Sequence, residues 1–192
     1  MDDVATRRFT GDLSALPRPK TFRLKIISMG SEAVGKSCLI KRYCEERFVP
    51  KYLTTIGIDY GVKPVVVDGN DVRVNFWDMS GSPDFVEVRN EFYRDAQGAL
   101  LVFDVTNSRT FAQLDHWHAE AVSHGAKDLS IVVCANKCDQ SKRVVTEAEG
   151  RRWASAKGFT YFETSAQTGQ NVATALEAAF QAAFAKAYGR QS

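Results

Sequence analysis

The sequence predicts a three-layer α/β domain, in which helices cover both faces of a six-stranded, mostly parallel sheet with one antiparallel edge strand. From residue 22 onward, short apolar runs alternate with helix-like segments, as in strands joined by crossover helices. Residues 99–103 and 131–134 are continuously apolar, which is typical of strands buried on both faces. The Asp-Gly-Asn-Asp segment at residues 68–71 predicts a hairpin turn, and that hairpin supplies the antiparallel edge.

The remaining predicted strands lie on either side of these features. Residues 24–29 form an apolar strand that runs directly into Gly30. Residues 62–67 and 72–77 flank the hairpin turn and form its two strands. Tyr161 and Phe162 fall in a sixth, shorter strand.

The predicted helices carry recognisable start signals. Residues 146–149, Thr-Glu-Ala-Glu, form a capping-box sequence. Ser82 places a capping oxygen immediately before Pro83, and proline is suited to the first position of a helix. The last helix carries apolar side chains four residues apart, which predicts a terminal helix docked on the sheet: Val172, Leu176, Phe180, Phe184 and Tyr188.

Composition narrows the class of protein. The 192 residues are 44% hydrophobic and 25% charged, which excludes a disordered or fibrous chain. The net charge of +2 is too balanced to favour nucleic acid as a partner. No apolar run approaches the length of about 18 residues that a membrane helix requires. The four cysteines lack paired zinc-type spacing, and we expect a reduced, cytoplasmic protein.

The chain divides into one domain and two short ends. Residues 1–21 are expected to form a flexible, mildly basic arm, residues 22–188 the domain, and residues 189–192 a short tail. Asp2 excludes N-myristoylation, and the final residues offer no cysteine for prenylation. We therefore expect no direct lipid anchor, and we expect a monomer.

A phosphate-binding motif follows the first predicted strand. Residues 30–37 match G-x-x-x-x-G-K-[ST] and lie between a strand and a helix, the context that this motif needs. Gly30 and Gly35 allow the backbone to wrap closely, so that N–H groups converge on phosphate oxygens at a helix N-terminus. Lys36 supplies charge for the β and γ phosphates, and the Ser37 hydroxyl is a ligand for Mg²⁺.

A second motif indicates the base. Residues 136–139, Asn-Lys-Cys-Asp, follow an apolar strand, and Glu-Thr-Ser-Ala at residues 163–166 follows the next one. The Asp139 carboxylate can accept hydrogen bonds from both N1–H and the 2-amino group of guanine. Adenine lacks this donor pair and would leave the carboxylate unpaired. Together with the phosphate loop, the motif predicts a guanine nucleotide.

With these motifs in place, residues 22–188 resemble a small GTPase of the Ras superfamily, which implies a P-loop GTPase domain. The chain is most similar to the Rab branch in residues 54–60 and 93–98. It is closer still to the Rab-like RJL family, some of whose members carry a DnaJ domain. The stretches that resemble RJL proteins are residues 27–30, 40–45, 87–93 and 162–169.

The resemblance implies a role for each matching residue. Thr55 would sense the γ-phosphate and ligate Mg²⁺, Asp78 would hold the metal through water, and Gly81 would offer the γ-phosphate a backbone N–H. The implied metal set is Ser37, Thr55 and Asp78, and the implied catalytic set is Lys36, Thr55 and Gly81. Phe48 would contact the guanine. The full set expected at GTP or GDP comprises Gly30, Glu32, Ala33, Val34, Gly35, Lys36, Ser37, Cys38, Phe48, Thr55, Gly81, Asn136, Lys137, Asp139, Ser165, Ala166 and Gln167.

The chain departs from the family pattern after Gly81. The family's switch motif, D-x-x-G-Q, uses its glutamine to orient the attacking water, whereas this sequence has Ser82 followed by Pro83. Serine is too short to reach that water and lacks the paired donor and acceptor of a carboxamide. Pro83 also favours extended backbone at Ser82 and removes an N–H group. Slow hydrolysis is therefore expected, with Ser82 acting as a helix cap.

Two functional classes remain open at this point. The first is a guanine-nucleotide switch that hydrolyses GTP slowly and depends on exchange and activating proteins. The second is an interaction module with bound GTP or GDP and negligible turnover. By resemblance, Tyr60, Trp77 and Phe92 would face protein effectors, and the location would be cytoplasmic, at basal bodies or in the nucleus. An adenine-specific enzyme is disfavoured by Asp139.

Overall fold

The computed structural model describes residues 21–48, 50, 53–126 and 128–189. The expected arm at residues 1–20 and the last three tail residues lie outside this part of the chain. The six strands of the described residues are β1 (Phe22–Met29), β2 (Ile58–Val67), β3 (Asn70–Met79), β4 (Gly98–Asp104), β5 (Ser130–Asn136) and β6 (Thr160–Thr164). Their helices are α1 (Lys36–Glu45), α2 (Val86–Asn90), α3 (Ser108–Ala112), α4 (Leu114–Ser123), α5 (Glu147–Ala156) and α6 (Val172–Tyr188). None of these described helices has the length and hydropathy needed to cross a lipid bilayer.

All six strands join one sheet in the order β2-β3-β1-β4-β5-β6. Every neighbouring pair is parallel except β2 and β3, so the predicted mostly parallel sheet with one antiparallel edge is confirmed. The hairpin turn has positive φ at Asp68 (49°) and Gly69 (76°), as a tight two-residue turn between twisted strands requires. The strands of this hairpin extend beyond the segments predicted from alternation.

Helices cover both faces of the sheet, which confirms the three layers. On β4, Leu100 and Val102 point into a core shared with α1 and α6. The alternate β4 residues, Leu101 and Phe103, point into a second core against α4 and α5. Because successive side chains of a strand point to opposite faces, the continuous apolar run of β4 fills both cores.

Local helix signals also formed as predicted. Thr146 and Glu149 complete a reciprocal capping box at the start of α5. The apolar stripe of α6 is buried against the sheet from Val172 to Phe184. At the end of that helix, the Tyr188 hydroxyl donates a hydrogen bond to the Arg23 carbonyl oxygen of β1 at 2.8 Å.

Candidate functional site

The loops that follow β1, β3, β5 and β6 contribute to one cleft at the edge of the sheet where the parallel strands end. Open α/β sheets bind ligands at this edge. Of the residues expected at the nucleotide, the cleft is lined by Glu32, Ala33, Gly35, Lys36, Ser37, Cys38, Phe48, Thr55, Gly81, Asn136, Lys137, Asp139, Ala166 and Gln167. Gly30, Val34, Asp78 and Ser165 are hydrogen-bonded to residues that line the cleft: Lys36, Asn136, Ser37 and Asp139, respectively.

The phosphate loop requires glycine at two points. Gly30 has a φ of 137°, and a Cβ there would lie 2.2 Å from the Val102 carbonyl oxygen of β4. Gly35 has a φ of 100°, and its Cβ would lie 2.2 Å from Nδ2 of Asn136. Both glycines therefore combine a left-handed backbone with a close neighbour, and any larger residue would displace the loop.

Lys36 is held inside the loop that it serves. Its Nζ donates to the carbonyl oxygens of Gly30, at 2.7 Å, and Ser31, at 2.9 Å. The side chain is only 6% exposed, and this burial lowers the pKa of Lys36 to about 8, although the nearby Asp78 opposes the shift. Glu32, which also lines the cleft, is exposed to solvent. The ammonium group is thus fixed at the floor of the loop.

Two hydroxyls and one carboxylate meet beside the phosphate loop. The hydroxyl oxygens of Ser37 and Thr55 are 2.8 Å apart, although Thr55 belongs to the separate segment before β2. Asp78, at the end of β3, accepts hydrogen bonds from Ser28, at 2.8 Å, and from Ser37. Burial raises the pKa of Asp78, and no basic side chain of the described residues forms an ion pair with it.

This corner suits Mg²⁺. The ion prefers oxygen ligands and is usually held by few carboxylates, with waters and substrate phosphates completing its shell. The described residues contain no group of three or more His, Cys, Asp or Glu side chains able to hold a metal ion. Because Mg²⁺ needs few protein ligands when phosphates complete its shell, the Asp78 carboxylate and the hydroxyls of Ser37 and Thr55 fit an ion that accompanies a nucleotide.

Gly81 lies directly against the phosphate loop. A Cβ at this position would be 2.4 Å from the Ser31 carbonyl carbon and 2.5 Å from the Glu32 nitrogen. Only glycine allows the segment after β3 to approach so closely. Ser80 links this segment to the one before β2, because its N–H donates to the Gly57 carbonyl oxygen at 2.8 Å. The two segments that carry Thr55 and Gly81 are thus joined at the cleft.

Ser82 caps a short 3₁₀ turn over Pro83–Phe85, as the sequence predicts. Its backbone is extended, with φ −72° and ψ 140°, and its hydroxyl accepts from the Asp84 N–H at 3.4 Å. The Ser82 N–H donates to the Ser80 hydroxyl oxygen at 3.3 Å. These contacts are local ones within the segment.

A buried ion pair holds the same segment from the other side. Arg89 of α2 donates to the Ser82 carbonyl oxygen at 2.6 Å and contacts that of Ser80 at 3.4 Å. Its guanidinium also forms two hydrogen bonds with Glu120 of α4, at 2.6 and 3.1 Å. Tyr93 donates to the same carboxylate at 2.7 Å. Arg89 is 2% exposed, so this pair is a buried clamp on the residues flanking Gly81.

Asn136 ties the two ends of the cleft together. Its Nδ2 donates to the Val34 carbonyl oxygen of the phosphate loop at 2.8 Å. Its Oδ1 accepts from the Ala166 N–H at 3.2 Å and from the Thr164 hydroxyl at 3.4 Å. Because every polar group of this buried amide is used in this way, Asn136 acts as a brace between three loops.

Asp139 and Lys137, the residues expected at the base, both line the cleft. Lys137 has a φ of 65° and pairs with Asp104 at 2.6 Å, which holds its chain across the cleft. Asp139 accepts hydrogen bonds from Ser165 and, at 2.6 Å, from Gln140. Burial opposes ionisation of Asp139, but these hydrogen bonds outweigh it and lower its pKa. The carboxylate is therefore ionised and oriented at neutral pH.

Phe48, which is expected at the guanine, lines the cleft and also packs against the core shared with α1 and α6. Sequence reasoning missed several residues at the cleft. Pro50, Leu53 and Gln140 line it without belonging to a motif, and Thr54 and Ser80 line it although only their neighbours Thr55 and Gly81 were assigned to the nucleotide. Gln140 had one available signal, because it directly follows the base motif.

The three aromatic side chains assigned to effectors form one row. The ring centroids of Tyr60 and Trp77 are 4.7 Å apart, and those of Trp77 and Phe92 are 4.8 Å apart. The Lys25 ammonium lies 5.6 Å from the centroid of Trp77. Tyr60 is about half exposed, so the row reaches the surface at the β2–β3 hairpin.

Comparison with known proteins places this cleft in context. The model of the Ras family matches residues 25–185. DnaJ homolog subfamily C member 27 of Gallus gallus is 58% identical over 159 residues, which cover 80% of this chain and 58% of that protein. The protein of the same name in Homo sapiens is 57% identical over 159 residues, with the same shares covered. DnaJ homolog subfamily C member 27-A of Xenopus laevis is 52% identical over 169 residues, or 85% of this chain and 62% of that protein. The chain thus spans about 58% of the length of the Gallus gallus protein. These matches confirm the family resemblance that the motifs indicate.

Proposed function

Because the chain belongs to the Ras family of small GTPases, we propose that it is a guanine-nucleotide switch that binds GTP and GDP with Mg²⁺ and hydrolyses GTP slowly. Lys36 and the loop N–H groups bind the phosphates, and Asp139 reads the guanine. Ser37, Thr55 and Asp78 hold Mg²⁺, which neutralises charge on the phosphate oxygens when bound. Thr55 and Gly81 respond to the presence of the third phosphate.

One observation carries this proposal. Thr55 and Gly81 come from separate segments, yet both meet the phosphate loop, the former through the Ser37 hydroxyl at 2.8 Å and the latter by backbone packing. Contacts that depend on a third phosphate at this point would change both segments together. Such coupled ordering of two loops is a known way for a nucleotide to control a surface.

The first test concerns the base. Asp139 can pair with the two donors of guanine, so GTP should displace a fluorescent guanine nucleotide at far lower concentration than ATP. Asp139→Asn should shift the preference toward xanthine nucleotides, because the amide offers a donor to the xanthine oxygen. Asp71→Asn makes the same chemical change on β3, outside the cleft, and is the matched control, which should keep the preference for guanine. Equal affinities of the unmodified protein for ATP and GTP would contradict the assignment.

The second candidate function is an interaction module that keeps its nucleotide without turnover. The observation that favours it is the use of Ser82 as a cap, since its hydroxyl is committed to the Asp84 N–H. The two functions separate in one experiment, in which the co-purified nucleotide is identified and its γ-phosphate is followed over hours. A switch loses the phosphate and changes its susceptibility to proteolysis near Thr55, whereas a module does neither.

We also propose that the row of Tyr60, Trp77 and Phe92 contacts protein effectors. The row is continuous, and Tyr60 keeps about half of its surface exposed. Tyr60 and Trp77 lie on β2 and β3, the strands that connect the Thr55 and Gly81 segments, and Phe92 follows α2. Any partner that binds it would therefore be close to both nucleotide-responsive segments.

A further inference from the structure

The side chain of Arg42 lies behind the cleft and bonds to three carbonyl oxygens. Arg42 is in the last turn of α1. Its Nε donates to the Ala166 carbonyl oxygen at 2.9 Å, and its Nη2 donates to that of Gln167. Its Nη1 donates to the Glu46 carbonyl oxygen at the end of the helix, at 3.2 Å. Among the ion pairs of the described residues, Arg42 takes part in none, so its guanidinium serves backbone groups.

Two of these carbonyl oxygens belong to the loop that forms the base end of the cleft. Ala166 and Gln167 line the cleft, and the neighbouring Ser165 bonds to Asp139. On the inner side, the Ala166 N–H is fixed by Asn136. Arg42 bonds to the carbonyl oxygens of the next two peptide units, those of Ala166 and Gln167, so the two side chains hold adjacent parts of this loop.

Helix α1 connects this grip to the phosphates. The helix begins at Lys36, six residues before Arg42, which corresponds to a distance of about 9 Å along a rigid rod. The helix that carries the phosphate-binding residues at its start therefore holds the base loop at its end. This geometry sets the spacing between the phosphate end and the base end of the cleft.

We propose that Arg42 is a positioning residue for guanine nucleotides. It holds the loop from Ser165 to Gln167 in the position where this loop contacts the base. The inference rests on the proposed nucleotide-binding function and adds the residue that controls nucleotide release. Its loss frees the base loop and leaves the phosphate loop in place. Release of GDP should accordingly become about tenfold to a hundredfold faster.

Arg42→Gln and Arg42→Lys test the inference in the full chain. Glutamine removes the charge and the fork of donors, while lysine keeps the charge but cannot satisfy two carbonyl oxygens with planar geometry. Lysine should therefore give an intermediate release rate. Lys41→Gln is the matched control, because Lys41 is the adjacent cation on α1 and makes no hydrogen bond or ion pair among the described residues. The control should release GDP at the unmodified rate.

The decisive readout separates the base from the phosphates. The rate of release of a fluorescent GDP analogue is measured for each variant. The affinity for ribose 5′-diphosphate, which lacks the base, is measured by its competition with the same analogue, and inorganic phosphate serves as the reference competitor. Arg42→Gln should speed GDP release but leave the affinity for ribose 5′-diphosphate unchanged.

If Arg42→Gln weakened the binding of GDP and of ribose 5′-diphosphate equally, Arg42 would only stabilise the fold. If GDP release were unchanged, Arg42 would not position the base loop. Either result overturns the inference. If Arg42→Gln does not fold, the same comparison is made with Arg42→Lys. A failure of the proposed function looks different, because the unmodified protein would then bind GDP no better than ribose 5′-diphosphate.

Discussion

Replacing Ser82 with glutamine and Pro83 with glutamate should accelerate GTP hydrolysis. In the structure the Ser82 hydroxyl accepts a hydrogen bond from the Asp84 N–H, and its carbonyl oxygen is held by Arg89 at 2.6 Å. The side chain therefore ends close to its own backbone and presents no group to a water near Gly81. A glutamine would add the missing reach, and a glutamate at position 83 would restore a backbone N–H and relieve the constraint on residue 82.

The size of the effect follows from the barrier. Loss of water orientation is expected to raise it by about 1–2 kcal/mol, which corresponds to a factor of about five to thirty at 1.36 kcal/mol per decade. Ras, with its glutamine in place, turns over at about 3–5 × 10⁻⁴ s⁻¹ unaided. The unmodified chain should then hydrolyse GTP at about 1–10 × 10⁻⁵ s⁻¹, with a half-life of about two to twenty hours. Loss of the Ser82 cap would cost about 1 kcal/mol of folding stability.

The assay is a single-turnover measurement of γ-phosphate release from pre-bound, labelled GTP with Mg²⁺. Ser82→Gln alone should restore little activity, because Pro83 still restricts the backbone, and Pro83→Glu alone should restore less. GTP affinity should stay unchanged in all three variants, since Lys36 and Gly81 are untouched. If the unmodified protein cleaves GTP as fast as the double variant, Ser82 and Pro83 are not the cause of slow hydrolysis.

Two further predictions concern the buried clamp and the phosphate loop. Glu120→Gln should lower the free energy of unfolding in urea by about 3–5 kcal/mol, because it leaves the Arg89 guanidinium buried without its counter-charge. Burial opposes ionisation of Glu120, but hydrogen bonds led by that of Arg89 lower its pKa below 4.5. The stabilisation by the Glu120 carboxylate is therefore fully present above pH 4.5 and is lost as the pH falls through the lowered pKa. If Glu120→Gln lost as much stability in acid as the unmodified protein, this account would be wrong. Gly35→Ala should abolish measurable nucleotide binding, because its Cβ would meet Nδ2 of Asn136 at 2.2 Å. Gly61→Ala, where a Cβ has no neighbour within 4 Å, should bind normally, and equal binding by both variants would show that the loop tolerates the methyl group.

The features predicted correctly from the sequence are those governed by neighbouring residues. The Asp68-Gly69 turn and the Thr146 capping box depend on residues within four positions of each other, so the local sequence is enough to predict them. The apolar run at residues 99–103 predicts a doubly buried strand because no polar residue interrupts it. The phosphate and base motifs likewise concentrate their chemistry in short segments, and the structure brings both segments to one cleft.

Long-range polar contacts escaped prediction. Arg42 bonds to a carbonyl oxygen 124 residues further along the chain, and Arg89 pairs with a carboxylate 31 residues away. Carbonyl acceptors have no side-chain identity, so no residue pattern marks the partners of Arg42. Glu120 stands on a helix among other polar residues, and only the packing of α2 on α4 distinguishes it as a buried partner. Strand lengths were also underestimated, because the hairpin strands continue into exposed residues.

In the proposed switch, the segment after β3 would separate nucleotide binding from hydrolysis. Gly81 is fixed by its contact with the phosphate loop and by the Arg89 clamp on the carbonyl oxygens of Ser80 and Ser82. A fixed N–H at Gly81 favours recognition of a third phosphate, since little ordering remains to be done on binding. The same contacts hold residue 82 in an extended conformation as a helix cap, away from the role of orienting water. Backbone that is ordered in advance for binding, with a side chain too short for catalysis, is the combination expected of a switch that stays loaded until another protein acts on it.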